Sequence, residues 1–261
     1  AGIIKKLKEG YFTDLGVTAL WFSPVFEQIH GGIDEGTGYT YAYHGYWIKD
    51  WTNFEPNYGT EEEFAELVDI AHSQGIRILM DVIINHTGPV TDKDPFWGED
   101  WARQEPQCDY KDYEGTVPCT LVKNLPDIKT ESNEDVKLPQ FLIDKWEGEG
   151  KLEKELESLE KFFAENAYPK APRFYIIKWI CDFVRKFGID GFRIDTAKHT
   201  EASIWAELAK EAKKAFTEWK AANPDKVLDD NEFYMTGEVY NYGISMGQIF
   251  NNGGVDVNYF V

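Results

Sequence analysis

The sequence predicts an α/β fold, namely part of a (β/α)8 TIM barrel that carries a large inserted domain. Three observations indicate this fold: helical and strand patterns alternate along the chain, one strand pattern is almost entirely apolar, and polar residues repeatedly follow the strands. Such alternation is typical of a parallel sheet with crossover helices. A doubly wound open sheet is the alternative, although no strand pattern is followed by the Gly-rich phosphate loop of its nucleotide-binding form.

Local signals justify the individual elements. Thr60 followed by Glu63 is a capping box, which begins a helix. Residues 76–84 form a near-continuous apolar run, which predicts a central strand covered on both faces. The predicted elements are, in chain order, a helix over 3–15, a buried strand over 17–22, a helix from Thr60 to Gly75, a strand over 76–84, a charged helix over 151–164, a helix ending at Gly188, a strand over 189–194, a helix through Trp205 and Phe216, and a strand over 232–236.

An insertion interrupts this alternation. The interval between Asp81 and Asp195 is far longer than the roughly 30 residues of one strand and helix unit. Residues 87–170 carry Pro, Gly, Asp and two cysteines, without clear strand and helix alternation before the charged helix. We therefore predict a first barrel part over 1–86, an inserted domain over 87–170, and a second barrel part over 171–261.

Charge and apolar patterning exclude several classes of partner. The formal net charge of −19 would repel phosphate, which argues against nucleic acids and anionic membranes. No stretch of about 18 apolar residues occurs, so no membrane span is predicted in this chain. Aromatic residues make up 15% of the chain; most are expected in the core, and others can offer flat faces to sugar rings.

Two acids follow short apolar stretches at predicted strand ends: Asp195 after Gly191-Phe192-Arg193-Ile194, and Glu238 after Met235-Thr236-Gly237. Because parallel strands end at the same edge of a sheet, both acids are expected to face one cleft. Such a pair hydrolyses glycosidic bonds. Arg193 lies on the same side of its strand as Asp195 and is expected to keep that carboxylate ionised, which suits a nucleophile. Glu238 has no neighbouring cation in sequence, which suits a general acid.

Five segments, taken in order, resemble the α-amylase family of glycoside hydrolases (family 13) over nearly the whole chain. They are residues 16–24, 42–47, 81–86, 191–199 and 237–239. A sixth segment, residues 125–132, is similar to secreted and periplasmic bacterial α-amylases. The resemblance implies a retaining, endo-acting enzyme that hydrolyses the α-1,4-glucosidic bonds of starch, glycogen or maltodextrins. It also implies a third-strand position for the inserted domain, called domain B in this family.

The resemblance assigns roles to further residues. Asp195 would be the nucleophile, Glu238 the general acid and base, and Asp81 the residue that braces Arg193. For a retaining enzyme, the two catalytic carboxyl groups should lie about 5 to 5.5 Å apart. The implied substrate-binding residues are His44, His86, Tyr46, Arg193, Lys198, His199 and Trp47, of which Trp47 is equally explained by packing. His30 and His72 match nothing in the family and are predicted at the surface.

The family often holds a structural calcium ion between barrel and inserted domain. By resemblance, its ligands would be the Asn85 side chain, the Asp127 carboxylate and the main-chain oxygen of His199, all oxygen donors that suit a hard cation. The alternative is an Asn85 side chain that is only hydrogen bonded. No further acidic ligand can be placed from the sequence.

The match to the family is incomplete. Its third acid, an Asp preceded by His near the seventh strand, has no counterpart, because Asp256 resembles the sixth strand instead. We therefore expect a chain that lacks the first, seventh and eighth strands and is inactive by itself. Alternatives to an α-amylase are an α-glucosidase or a transglycosylase, or a noncatalytic binding or transporter subunit of amylase-like sequence. The oligomeric state is not predicted.

The three cysteines help to predict the cellular compartment of the protein. Cys108 and Cys119 lie close together in a loop-rich segment, and an α-glucan substrate implies secretion, so we expect a disulfide between them. Cys181 lies in a helical pattern and is expected in the core. The protein is accordingly predicted to be secreted or periplasmic.

Overall fold

The computed structural model describes residues 1–111, 114–239 and 258–260. Its helices alternate with the strands of the main sheet, as the pattern predicts. The helices are α1 (Gly2–Lys8), α2 (Tyr11–Asp14), α3 (Glu61–Ser73), α4 (Gln140–Gly148), α5 (Leu152–Asn166), α6 (Pro172–Phe187) and α7 (Ala202–Ala222). The strands are β1 (Ala19–Phe22), β2 (Phe26–Gln28), β3 (Ile33–Asp34), β4 (Tyr39–Thr40), β5 (Ile48–Phe54), β6 (Arg77–Val82), β7 (Ala102–Arg103), β8 (Asp127–Ile128), β9 (Gly191–Ile194), β10 (Tyr234–Glu238) and β11 (Asn258–Phe260).

The main sheet contains five strands in the order β1, β6, β9, β10, β11. All four neighbouring pairs are parallel, which confirms the predicted parallel sheet. The register sets Asp81 of β6 and Thr236 of β10 on either side of Arg193 in β9. Within the described ranges the sheet is an open arc, with β1 and β11 at its edges. The structure therefore shows part of a barrel rather than a closed one.

The strand β1 differs from its prediction as a buried strand. Its four side chains alternate between exposed and half-buried, and Trp21 is 53% exposed. The physical reason is its place at the edge of the sheet that the described residues form, where β6 is its one neighbouring strand. The apolar sequence of β1 therefore does not correspond to a strand that is buried on both faces.

The first helix also differs from its prediction as a single element over 3–15. Gly10 adopts a left-handed conformation with φ of 75°, and this separates α1 from α2. Glycine reaches this conformation without the steric cost that a side chain would add. As a result Leu7 is buried, whereas Tyr11, which a continuous helix would place on the same face four residues later, is 46% exposed.

Caps define the helices that cover the sheet. The predicted capping box of α3 is confirmed: the Glu63 amide donates to the Thr60 hydroxyl at 3.2 Å, and the Thr60 amide donates to the Glu63 carboxylate at 3.1 Å. Helix α6 ends at Gly188, whose φ is 73°. A β-carbon at Gly188 would lie 2.2 Å from the Trp219 ring of α7, so this glycine also lets α6 and α7 pack closely.

The segment between β6 and α6 is only partly separate from the barrel. It contains the antiparallel pair β7 and β8, followed by α4 and α5. The ring of Phe163 in α5 lies 4.8 Å from that of Tyr175 in α6, and Trp146 in α4 lies 6.2 Å from Trp179. These two helices share the main hydrophobic core. The domain boundaries at residues 87 and 170 stay a prediction.

The cysteines occupy their expected places. Cys108 and Cys119 form a disulfide, and Cys181 is a buried free thiol. Of the two histidines predicted at the surface, His30 is exposed. His72 is not: it is buried on α3, and its Nε2 lies 2.8 Å from the Asp190 carboxylate. That prediction was wrong because the buried face of α3 extends to its last turn, where the Asp190 carboxylate serves as the imidazole's partner.

None of the helices in the described ranges combines the length and the apolar composition that crossing a bilayer would require.

Candidate active site

Three acids meet at the carboxyl ends of three neighbouring strands. Asp81 is near the end of β6, Asp195 directly follows β9, and Glu238 is the last residue of β10. The Arg193 guanidinium joins them: its Nη1 lies 3.0 Å from Asp81 Oδ2 and 2.8 Å from Asp195 Oδ1, and its Nη2 lies 3.2 Å from Glu238 Oε2. The structure therefore brings the two predicted catalytic acids and their predicted supports into one group.

Asp81 is held by donors from three directions. Its Oδ2 accepts hydrogen bonds from Trp21 Nε1 and from the Tyr46 hydroxyl, each at 3.0 Å, as well as from Arg193. The Arg193 guanidinium also lies 5.0 Å from the centre of the Trp21 ring, within the range of a cation–π contact. Sequence reasoning missed Trp21, because its indole reads as one more apolar side chain in an apolar strand.

Burial raises the pKa of two of the carboxyl groups that contact Arg193, those of Asp81 and Asp195. Burial raises the pKa of Asp81 to about 7, although the charge of Arg193 lowers it. Burial likewise raises the pKa of Asp195, and this outweighs the charge and hydrogen bond of Arg193 that lower it. The sequence predicted that Arg193 keeps Asp195 ionised. Arg193 does lower the pKa of Asp195, but burial raises this pKa by more. The predicted separation of 5 to 5.5 Å between the two catalytic carboxyl groups stays a prediction.

A tight turn follows the proposed nucleophile. Thr196 adopts a left-handed conformation with φ of 51°, which costs a residue with a side chain about 1 kcal/mol or more. In this turn the Thr196 amide donates to Glu238 Oε2 at 3.3 Å. The backbone next to Asp195 therefore helps to position Glu238, a contact that no local sequence signal indicates.

Aromatic rings form one wall of the site. The Tyr46 amide donates to His44 Nδ1 at 3.0 Å, so a neutral His44 carries its proton on Nε2. Burial lowers the pKa of His44, which favours this neutral form. The His44 ring stacks on Tyr46 at 5.9 Å and meets Trp47 edge-on at 4.8 Å. His44 Nε2 can therefore donate a hydrogen bond to a ligand beside the Tyr46 ring.

His86 contacts the protein with both ring nitrogens. Its Nε2 lies 3.2 Å from the carbonyl oxygen of Tyr46 and must donate to it, while Nδ1 lies 3.4 Å from Asn85 Nδ2. Burial lowers the pKa of His86 to about 4, so the ring is neutral near pH 7. In this structure His86 supports the loop that carries Tyr46.

Lys198 and His199 lie beside Glu238. Burial lowers the pKa of both, to about 4 for His199, and the Glu238 carboxylate acts in the opposite direction with a smaller effect. His199 Nδ1 donates to the carbonyl oxygen of Thr116 at 2.8 Å, which places the side chain against the inserted segment. Both residues thus lie near Glu238, and their role in substrate binding stays a prediction.

The predicted calcium ligands partly converge. The Ile128 amide donates to the Asn85 carbonyl at 2.8 Å, which sets Asn85 beside strand β8 and Asp127. Asp127 Oδ2 is buried without a hydrogen-bond partner, and Arg103 Nε lies 3.1 Å from it. Burial raises the pKa of Asp127 to about 9. A carboxylate oxygen without a hydrogen bond is a ligand that suits a hard cation, although Arg103 already places a positive charge beside it.

Over the described ranges, no group of three His, Cys, Asp or Glu side chains is arranged to hold a metal ion. The predicted calcium set is of another kind, since it combines one carboxylate with an amide and a main-chain oxygen. Asp256, expected in the sixth strand, lies outside the described residues.

Comparison with known proteins agrees with this geometry. The family described as "Alpha amylase, catalytic domain" matches residues 1–256. A periplasmic alpha-amylase of Escherichia coli K12 is 38% identical over 97% of this chain and 43% of its own length. A cyclomaltodextrin glucanotransferase of a Bacillus species is 41% identical over 38% of this chain and 14% of its own length.

A solved structure extends the likeness to the fold. The alpha-amylase of Geobacillus thermoleovorans superposes with a TM-score of 0.66 at 24% identity, covering 98% of this chain and 43% of that protein. A likeness at this identity concerns the fold alone, which in such enzymes is the (β/α)8 barrel. The chain spans less than half the length of these relatives. It belongs to the alpha-amylase catalytic-domain family of glycoside hydrolases.

Proposed function

We propose that this chain forms part of the catalytic domain of a retaining, endo-acting α-amylase, which hydrolyses α-1,4-glucosidic bonds of starch, glycogen or maltodextrins. One observation carries the proposal: a single guanidinium, Arg193, contacts both Asp195 at 2.8 Å and Glu238 at 3.2 Å at the ends of adjacent parallel strands. Two acids at one cleft are what glycoside cleavage requires.

The proposed reaction takes place in two steps. The Asp195 carboxylate attacks the anomeric carbon while protonated Glu238 gives its proton to the departing glycosidic oxygen, so the C–O bond breaks as a glycosyl ester forms. Glu238, now ionised, then takes a proton from a water that attacks the same carbon and releases Asp195. Two inversions give net retention of configuration.

The environment supports this division of roles. The Asp195 side chain is 10% exposed, whereas that of Glu238 is 29% exposed. The more accessible acid is better placed to meet a leaving oxygen and then a water. Asp195 lies deeper and closer to Arg193, whose charge and hydrogen bond oppose its protonation, although burial has the larger effect on its pKa.

Substrate contacts follow from the site. The Tyr46 ring offers a flat face to a glucose ring, and the Nε2 proton of His44 lies beside it. Arg193 orients both acids, and Asp81 holds Arg193. We propose leaving-group contacts for Lys198 and His199 and a direct contact for Trp47. His86 would act chiefly by fixing the Tyr46 loop, because the carbonyl of Tyr46 occupies its Nε2.

The proposal also includes the complete fold, a bound calcium ion and the cellular compartment. The five-stranded arc would be part of an eight-stranded barrel with the segment 87–170 as its inserted domain. Asn85, Asp127 and His199 would hold calcium, which when bound would tie the end of β6 to that segment. The Cys108–Cys119 disulfide and the periplasmic relative support export to an oxidising compartment.

Other functions use the same acids. The 41% identity to a cyclomaltodextrin glucanotransferase over part of the chain favours a transglycosylase as the second candidate. An α-glucosidase shares the mechanism. A noncatalytic binding or transporter subunit is less well supported, because Asp195, Glu238 and Arg193 are all present and in contact.

The full-length protein tests these alternatives with soluble starch. We expect reducing ends to appear along with a rapid fall in iodine staining, and NMR should show the α-anomer as the first product. Initial release of the β-anomer would contradict retention. Cyclic products or longer oligosaccharides without new reducing ends would identify a transglycosylase, whereas binding without turnover would identify a noncatalytic subunit.

A further inference from the structure

Trp21 on β1 projects from the same face of the main sheet as the acids and arginine of the site. The register pairs Trp21 with Leu79 of β6, two residues before Asp81. It also pairs Asp81 with Arg193 of β9. Residues two apart on a strand share a face, and so do paired residues of neighbouring parallel strands. Trp21 therefore lies beside an ion pair and not only beside apolar neighbours.

The indole of Trp21 contacts both members of this ion pair. Its Nε1 donates to Asp81 Oδ2 at 3.0 Å, and the guanidinium of Arg193 lies 5.0 Å from the centre of its ring. An indole carries partial positive charge at its N–H and partial negative charge on its face. Each part of the Trp21 side chain thus meets the charge that it attracts.

The ion pair in turn sets the geometry of the two reacting acids. Arg193 Nη1 lies 3.1 Å and 3.0 Å from the two carboxylate oxygens of Asp81, and 2.8 Å from Asp195 Oδ1. Its Nη2 lies 3.2 Å from Glu238 Oε2. A guanidinium is a rigid planar fork, so a rotation that loosens Asp81 also misaligns the contacts with both acids. A group that fixes the plane of Arg193 therefore fixes Asp195 and Glu238.

The other aromatic donor to Asp81 has a second task. The Tyr46 hydroxyl donates to the same oxygen at 3.0 Å, but the Tyr46 ring forms the wall where a glucose unit is proposed to bind. Tyr46 also lies in the loop between β4 and β5, whereas Trp21 reaches Asp81 from a strand of the main sheet. Groups carried by strands are held more precisely than groups carried by loops. Trp21 is thus suited to hold Asp81 throughout binding and reaction.

We propose that Trp21 is a positioning residue for glycoside cleavage, because it holds Asp81 by its N–H and Arg193 by its ring face. The pair held in this way orients Asp195 for attack and Glu238 for proton transfer. This inference rests on the proposed function and adds to it a residue that acts through Asp81 and Arg193. Loss of Trp21 should slow the reaction more than it weakens substrate binding.

Two substitutions at Trp21 separate its two contacts. In the full-length protein, steady-state kinetics on maltoheptaose would give kcat and KM. Trp21→Phe keeps a ring but removes the N–H, and it should lower kcat about 10-fold with KM changed less than about 2-fold. Trp21→Leu also removes the ring and should lower kcat about 50-fold. A KM that rises while kcat stays at the parent value would assign Trp21 to substrate binding and overturn the inference.

A double-mutant cycle tests whether Trp21 acts through Asp81. In a protein that carries Asp81→Ala, the acceptor of the indole N–H is removed, so Trp21→Phe should lower kcat by less than about a further 2-fold. A further loss of about 10-fold in that background would show that Trp21 acts independently of Asp81 and would overturn the inference.

Trp146→Phe is the matched control. It also removes one indole hydrogen bond to a side chain, from Nε1 to Thr52 Oγ1 at 3.1 Å, but Trp146 belongs to α4. It should lower the melting temperature and keep kcat.

The outcomes separate the inference from the function on which it rests. If Trp21→Phe keeps the parent kcat, the inference fails and the proposed function stands. If Trp21→Leu does not fold, the result for Trp21→Phe still decides. A parent protein without turnover of maltoheptaose would refute the proposed function and the inference together.

Discussion

Two buried aspartates, each beside an arginine, differ in how their oxygens are satisfied. Asp81 accepts hydrogen bonds from three side chains at the active site. Asp127 lies in the inserted segment with Arg103 Nε 3.1 Å from its Oδ2, and this oxygen has no hydrogen-bond donor in the described part of the chain. Burial raises both pKa values, to about 7 for Asp81 and about 9 for Asp127.

The difference separates two uses of a buried acid. Three donors fix the position of Asp81, and Asp81 in turn fixes Arg193, so its charge serves orientation. The oxygen of Asp127 is paired in charge with Arg103 but accepts no hydrogen bond in the described residues, so it can accept a further positive group. A bound cation is such a group. The experiments below would break or sharpen this contrast, starting from the largest expected effect.

Removing either reacting acid should have the largest effect. Asp195→Asn and Glu238→Gln should each lower kcat on starch more than 10³-fold, because each removes a group that forms or breaks a bond. Initial rates of reducing-end release would measure this. Far-UV circular dichroism should stay unchanged. A variant that keeps the parent rate would refute the role given to that residue.

Asp81→Asn should lower kcat about 100-fold with a smaller change in KM, because it loosens Arg193 rather than the reaction itself. The matched control is Asp190→Asn, since Asp190 is also a buried acid but holds His72 at the opposite end of the strands. That control should lower the melting temperature and keep kcat. If both variants lose activity equally, Asp81 has only a structural role.

Removal of calcium by a chelator should lower the melting temperature through loss of a contact at Asp127, and not at Asp81. If calcium binds at Asp127, EDTA should lower the melting temperature of the full-length protein by about 5–10 °C, and added calcium should restore it. Asp127→Asn should remove most of this response, whereas Asp81→Asn should keep it. A melting temperature that is indifferent to EDTA in the parent protein would argue against the metal site.

The pH dependence of stability should show the smallest effect. The pKa of Asp81 is raised from 3.8 to about 7, so between these pH values the folded protein binds more protons than the unfolded chain. This contribution to stability is present at low pH and is lost as pH rises through 7. Asp81→Asn, which stays neutral, should flatten the fall in melting temperature between pH 4.5 and 7.5 by about 5 °C. An unchanged slope would show that other groups dominate.

Sequence patterns predicted the parts of this structure that depend on local rules. Helix α3 follows from the Thr60 capping box, and the parallel order of the strands follows from their alternation with helices. The convergence of Asp195 and Glu238 could be anticipated because parallel strands end at one edge of a sheet. The disulfide was likewise expected from the two nearby cysteines.

Features that depend on tertiary neighbours were not predictable in this way. The indole of Trp21 donates to Asp81, sixty residues away, and nothing in an apolar strand marks that bond. His72 was predicted at the surface because it matches nothing in the family, and its buried partner Asp190 follows much later in the chain. The raised pKa of Asp195 also differed from the expectation. The sequence shows Arg193 on the same strand, which lowers this pKa, but it does not show the burial by the whole fold that raises it.

One guanidinium in contact with three carboxylates has an evolutionary consequence. A change at Arg193 would leave Asp81, Asp195 and Glu238 without their common counter-charge in a single step. Such a change is strongly epistatic, because no substitution at one acid alone compensates for the other two. Descendants of this sequence that abandon glycan cleavage should therefore lose these four residues as a block, which homologous sequences would record as joint replacement.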